Sequence, residues 1–274
     1  MEKVTNNRTE ASLPVNPPPP VRERIFGVAI VCLWLLLWEI VARPVRFASP
    51  PSEFLTLLFR SLLFGGEMRA HFWATLQRFV IGMLLGAVPG ILVGRAVSRS
   101  ESRGHRWGPL MTALGLIPVF GLLPAFIIWF GIGELNKSIV ASWAMFFPAF
   151  FSTSTALRSQ SYRQNNRDRE SSRERLRNSP CAFVALKQSS IVGMLAVLGA
   201  ELWAAKVGIG VVVAAAGTKF DVPKFHVAMA AATLIMYLSW LALSVAEKRA
   251  NRRCLQKLRD LEAETRKDAL DGLP

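Results

Sequence analysis

The sequence predicts an all-α integral membrane protein of about six transmembrane helices, and three observations carry that reading. Of the 274 residues, 51% are hydrophobic and the mean hydropathy is +0.31, more apolar mass than one soluble core of that size needs. The apolar residues come in runs close to the roughly 20 residues a helix needs to cross a bilayer core. The charges gather at the two chain ends and in the gaps between those runs. A soluble protein with buried core helices would explain one or two such runs, but seldom six without an amphipathic stripe.

In chain order, residues 1–24 contain the run Pro17, Pro18, Pro19 and Pro20 and read as a disordered cytoplasmic tail. The first span covers residues 25–42, with Glu39 as its one charge. No small-residue cleavage site follows Ala42, so this span is expected to stay in the mature protein. Residues 49–64 are amphipathic and suited to lie along the membrane surface. Further spans are expected at 79–94, 109–131, 138–157, 189–205 and 226–246, with Glu201 as the one charge of the fifth. The transmembrane domain is thus expected over 25–246, followed by a basic cytoplasmic tail over 247–274.

Charge sets the expected orientation. With the N-terminus inside and six spans, segments 1–24, 98–108, 157–181 and 247–274 hold 22 of the 33 Lys and Arg residues, while the outside segments hold nine. The positive-inside rule then places both termini in the cytoplasm. The weak point is the first outside segment, which contains Arg43, Arg46, Arg60, Arg69 and Arg78. The net charge of +14 reports orientation here, and nucleic acid is not expected as a partner.

Several chemistries find no support. Cys32, Cys181 and Cys254 are too scattered for a disulfide framework, and no metal site or cofactor is expected. There is no glycine-rich phosphate loop with Lys and Ser or Thr, so the chain is not itself the usual ATPase. No zinc-protease motif is present, and no Ser or Cys nucleophile has a plausible His partner.

Within the spans, Gly82, Gly86, Gly90 and Gly94 recur every four residues and form a smooth face for a close helix contact, in this chain or in a second copy. Pro89, Pro118, Pro124 and Pro148 each remove a helix hydrogen bond. Such defects suit kinked helices around a pathway, with Pro118, Pro124 and Glu201 as candidate lining residues, or ordinary kinks in a bundle. Glu201 is expected to pair with Lys206, and Glu39 with Arg43. His226 reads as an interface residue, and Trp34, Trp38, Trp129, Trp203 and Trp240 as interfacial anchors.

The stretch Leu123, Pro124, then Ile128, Trp129, Phe130, Gly131, Ile132, Gly133 and Glu134 resembles the inner-membrane permeases of ABC importers, specifically the nitrate, sulfonate, taurine and bicarbonate group. The next span's Phe146, Phe147 and Pro148, the segment Ala200, Glu201, Leu202, Trp203 through Gly208, Ile209 and Gly210, and the earlier Ser49, Pro50 and Pro51 are similar in the same order and spacing. The resemblance implies a type I ABC importer permease fold and a permease pair, a homodimer in the simplest case. It also implies two cytoplasmic ATP-binding subunits and a periplasmic solute-binding protein that delivers a small anionic solute.

One segment departs from that pattern. The family's coupling loop carries Glu-Ala-Ala, three residues and Gly after a Tyr-Arg pair. Here Tyr162 and Arg163 are followed by Gln164, Asn165 and Asn166, and Glu170 stands where glycine belongs. Two alternatives therefore remain open at this point: a permease for a cationic or neutral vitamin precursor, and a degenerate, non-transporting membrane subunit. An ion-coupled secondary transporter would need buried ionisable residues at mid-membrane, and spans two to four supply almost none.

Overall fold

A computed structural model of the chain describes residues 21–45, 48–63, 66–164 and 179–271. The described residues that adopt regular structure are helical. The chain divides into two compact units, Met1–Ser52 and Glu53–Pro274.

In the first unit, α1 (Val21–Ala42) leaves its apolar side chains open almost all round, from Ile25 and Phe26 to Ile40 and Val41. A helix apolar on every face is stable only against hydrocarbon or protein. Near the end of α1, Glu39 accepts hydrogen bonds from Arg43 Nη2 at 3.0 Å and from the Ser52 backbone N–H and hydroxyl at 3.1 and 2.7 Å. The expected Glu39 to Arg43 pair is therefore present, with Ser52 added. Helix α1 starts at Val21, inside the stretch read from sequence as tail.

The second unit begins with the rest of α2 (Pro51–Leu63), whose first position suits the missing N–H of Pro51. Leu57 and Leu58 of α2 pack on the protein's own core. Helices α3 (Gly66–Gly82) and α4 (Val88–Ser98) are joined by a π-helical turn, Met83–Ala87, into one 31-residue span, Met68–Ser98. Pro89 has no N–H to offer Leu85, and the wider turn just before it lets the Val88 N–H reach the Met83 carbonyl instead. Next come α5 (Glu101–Gly115), α6 (Val119–Phe130), α7 (Glu134–Gln164), α8 (Ser179–Ala204), α9 (Ile209–Lys219) and α10 (Val222–Asp271). Their core joins Phe79 and Ile91 to Met145 of α7, Val197 of α8, Ile209 of α9 and Ile235 of α10.

The third expected span, 109–131, is corrected to two helices, α5 and α6, bent by 81°. Pro118 is the cause: it lacks a donor, disfavours helical geometry at Ile117, and sits in an extended conformation at φ −67° and ψ 114°. Packing shows that the bent pair still carries the chain across. The glycines of α3 and α4 meet α7 in ascending order, Gly82 at Ala141, Gly86 at Ser142, Gly90 at Phe146 and Gly94 at Phe150, so the two spans run parallel. At the far end, the Arg158 guanidinium of α7 lies against Gly104 of α5. Parallel spans need an odd number of crossings between them, and α5 with α6 supplies that one. With this pair counted as one, the described residues hold six candidate spans long and apolar enough to cross a membrane.

At about 1.5 Å per residue the 50-residue α10 is roughly 75 Å long, against about 30 Å for a hydrocarbon core. Its apolar part, Val222–Arg253, starts from an N-cap in which Asp221 Oδ1 accepts the Lys224 N–H at 3.1 Å. The basic segment read as a tail thus continues the last span as helix to Asp271.

Candidate functional site

Four chain segments meet at one buried guanidinium. On α3, His71, Thr75 and Arg78 are spaced four and then three residues apart, which puts them on one helix face. Arg78 is 3% exposed. Its Nη1 donates to Glu201 Oε1 at 2.6 Å and to the Val207 carbonyl at 2.7 Å. Its Nε and Nη2 donate in parallel to the two oxygens of Glu134 at 2.6 and 2.7 Å, the bidentate fork that suits a planar carboxylate.

Glu201, at the end of α8, is 1% exposed and fully satisfied. Besides Arg78 it accepts from Thr75 Oγ1 at 2.8 Å and from the Gly210 N–H at 2.8 Å. Thr75 Oγ1 in turn accepts the Ile209 N–H at 2.8 Å, and His71 Nδ1 lies 2.9 Å from both the backbone N and the carbonyl oxygen of Gly208. The loop from α8 to α9 can lie this close to Glu201 only because of its glycines. Gly208 has φ 149° and ψ 159°, a conformation essentially reserved for glycine, and a β-carbon there would run into the Glu201 carboxylate. A β-carbon on Gly210 would lie 2.6 Å from the Leu198 carbonyl oxygen.

Glu134 differs from Glu201: its side chain is 68% exposed, and it also accepts from the buried Lys137 Nζ at 2.9 Å. The four groups Arg78, Lys137, Glu134 and Glu201 balance to zero formal charge, as burial requires. The expected Glu201 to Lys206 pair is corrected: Glu201 is bonded to Arg78 and Thr75, and Lys206 is exposed. Arg78 and Lys137, both buried, lie just before the expected runs 79–94 and 138–157 but inside the helical spans Met68–Ser98 and Glu134–Arg158.

The sequence-derived candidates fall in different places. Gly82, Gly86, Gly90 and Gly94 face α7 of the same chain, and a β-carbon on Gly82 or Gly94 would lie 2.7 Å from Ala141 Cβ or 2.9 Å from the Phe150 carbonyl oxygen. Pro118 and Pro124 are exposed, whereas Glu201 is buried in the charge network, so the three do not line one surface of the described chain. Behind Pro118, Phe120 fills a notch at Gly199, and Leu123 and Phe126 pack on Val140, Ala144, Ala196 and Ala200. Tyr162, Arg163 and Gln164 close α7, while Asn165, Asn166 and Glu170 lie outside the described residues. Among the described residues no cluster of His, Cys, Asp and Glu is arranged to hold a metal ion.

No family model matches the chain. Individual proteins do. A putative aliphatic sulfonates transport permease of Bacillus subtilis is 25% identical over 135 residues, 48% of this chain and 49% of that protein. A formylaminopyrimidine transport permease of Halalkalibacterium halodurans is 30% identical over 137 residues, 49% of this chain and 53% of that protein. These two alignments span about half the length of either relative. The taurine transport system permease of Escherichia coli is 25% identical over 248 residues, 84% of this chain and 90% of its own length. The chain is similar in sequence to ABC transporter permeases.

The buried network joins the two sequence segments that carried the resemblance. Gly131 to Glu134 and Ala200 to Gly210 are far apart in the chain, yet Glu134, Glu201 and the Gly208 to Gly210 loop all converge on Arg78. Sequence reasoning missed Arg78, Thr75 and His71 because they precede the apolar run at 79–94 and read as loop. Their shared helix face was the signal available to find them.

Proposed function

We propose that this chain is the membrane-spanning permease subunit of an ATP-driven importer of a small anionic solute of the sulfonate or taurine kind. The alignment to a taurine permease over nine-tenths of that protein's length carries the reading. Six spans with a glycine seam and a bent third span supply a helical bundle of the right size. The chain's partners in this reading are two cytoplasmic ATP-binding subunits, a second permease copy, a periplasmic solute-binding protein and membrane lipid. ATP hydrolysis belongs to the separate subunits. A vitamin precursor is the second reading, favoured by the 30% identity to a formylaminopyrimidine permease.

The test begins with the altered loop. Residues 164–180 include Arg167, Arg169, Arg173, Arg175 and Arg177, so contact with an ATPase through them is carried by charge and screened within about 8–10 Å at physiological ionic strength. The permease purified with its cognate ATPase is expected to retain it at low salt and lose it as salt rises. A loop of the usual family pattern in place of 164–180 is expected to make the association salt-resistant. Failure to associate even at low salt would contradict an ATP-driven importer and favour a degenerate subunit.

Orientation follows from the same reading. The end of α7 at Arg158 and the start of α5 at Gly104, which lie side by side, belong in the cytoplasm, and both termini with them. A reporter fused after Pro274 is expected to be active only in its cytoplasmic form. Periplasmic activity there would overturn the six-span orientation.

A further inference from the structure

We propose that Arg78 and Lys137 form an oxoanion receptor which Glu134 occupies as a built-in, displaceable ligand, and that an anionic solute exchanges with the Glu134 carboxylate at this site. The proposal rests on the reading of the chain as a permease for small anions and names where such an anion is received. The two carboxylates bound to Arg78 are unequal. Glu201 is enclosed and accepts from a guanidinium, a hydroxyl and a backbone N–H. Glu134 is 68% exposed, and its carboxylate is held by the Arg78 fork at 2.6 and 2.7 Å and by Lys137 at 2.9 Å. Both of those cations are themselves more than nine-tenths buried. One carboxylate thus caps two cations that face the surface through it.

Charge decides what could replace it. With Glu134 in place the four groups are neutral, and with Glu134 swung into water Arg78, Lys137 and Glu201 leave one net positive charge. A monovalent oxoanion restores neutrality and offers the same paired oxygens to the guanidinium edge, since carboxylates and sulfonates meet an arginine fork in similar geometry. A cation or a neutral solute does neither. The N-terminus of α7, which begins at Glu134, adds its partial positive charge to that side of the balance. The location suits reception: this end of α7 is opposite the end bearing Arg158 and the Arg-rich segment, and so faces outward in the orientation proposed above.

The test uses the purified full-length permease in detergent, without ATPase or ATP, so it can fail while uptake by the assembled importer succeeds, and the reverse. Glu134→Ala is expected to lower the midpoint of thermal unfolding by uncovering the two cations. Methanesulfonate should restore it in a saturable way, beyond what potassium chloride does at equal ionic strength. Adding Lys137→Gln to Glu134→Ala removes one charged hydrogen-bond donor and should raise the methanesulfonate concentration needed about tenfold. Glu134→Gln keeps the shape of the side chain and should also gain a methanesulfonate response, which covers the case in which the alanine variant does not fold. Equal effects of chloride and methanesulfonate, a double variant that responds like Glu134→Ala, or no gain in either single variant would each overturn the proposal.

Discussion

Arg78→Met is expected to cost about 3–5 kcal/mol, the usual penalty for removing one partner of a buried ion pair and leaving the other charge unmatched. The stranded group is Glu201, whose side chain is 0% exposed. Arg78 also holds the Val207 carbonyl and the exposed Glu134, so its loss releases the α8 to α9 loop and the entry to α7 together. Replacing Glu201 as well, in Arg78→Met with Glu201→Leu, removes the unmatched charge and should recover part of the loss. Thermal unfolding of the purified variants in detergent measures both effects. An unchanged midpoint for Arg78→Met would mean that the four segments are held by packing alone.

Gly86→Leu is expected to abolish folding into the membrane bundle, and Gly86→Ala to cost at least the roughly 1–3 kcal/mol typical of an overpacked core. A single β-carbon at Gly86 would collide with the Ser142 carbonyl oxygen and lie 2.7 Å from Ser142 Cα. These are backbone atoms of α7, which no rotamer change can move aside. The steric contrast is Gly217 in α9, where an added methyl would meet nothing within 4 Å. There the same Gly→Ala change should be neutral or stabilise by up to about 1 kcal/mol through helix propensity. Recovery of monodisperse protein from size-exclusion chromatography separates the two outcomes. Similar behaviour of Gly86→Leu and Gly217→Ala would show that the seam can open without loss.

The spans were legible because hydrocarbon imposes a length and a composition on any helix that crosses it, and α1, α7 and α8 follow both. The glycine seam was legible for a similar reason, since spacing by four defines a face whatever the partner. Which helix fills that face was not legible: Ala141, Ser142, Phe146 and Phe150 are ordinary span residues, and only their position makes them the complement. The bend at Pro118 was half legible, because a proline predicts a lost hydrogen bond but not an 81° turn. The buried network was missed through one assignment. Arg78 sits directly before Phe79, where the apolar run begins, and a charge at that border reads as loop until its partners Glu134 and Glu201 are seen beside it.

Uptake in sealed vesicles shows whether this chain forms the membrane path of an ATP-driven anion importer. The permease is reconstituted in proteoliposomes with its cognate ATP-binding subunit and solute-binding protein, with ATP enclosed on the cytoplasmic side and labelled taurine outside. Taurine or a related sulfonate is expected to accumulate in a way that requires enclosed ATP and the binding protein and is lost without the permease. Accumulation of a formylated pyrimidine but of no sulfonate, or no ATP-dependent accumulation of either, would contradict that reading.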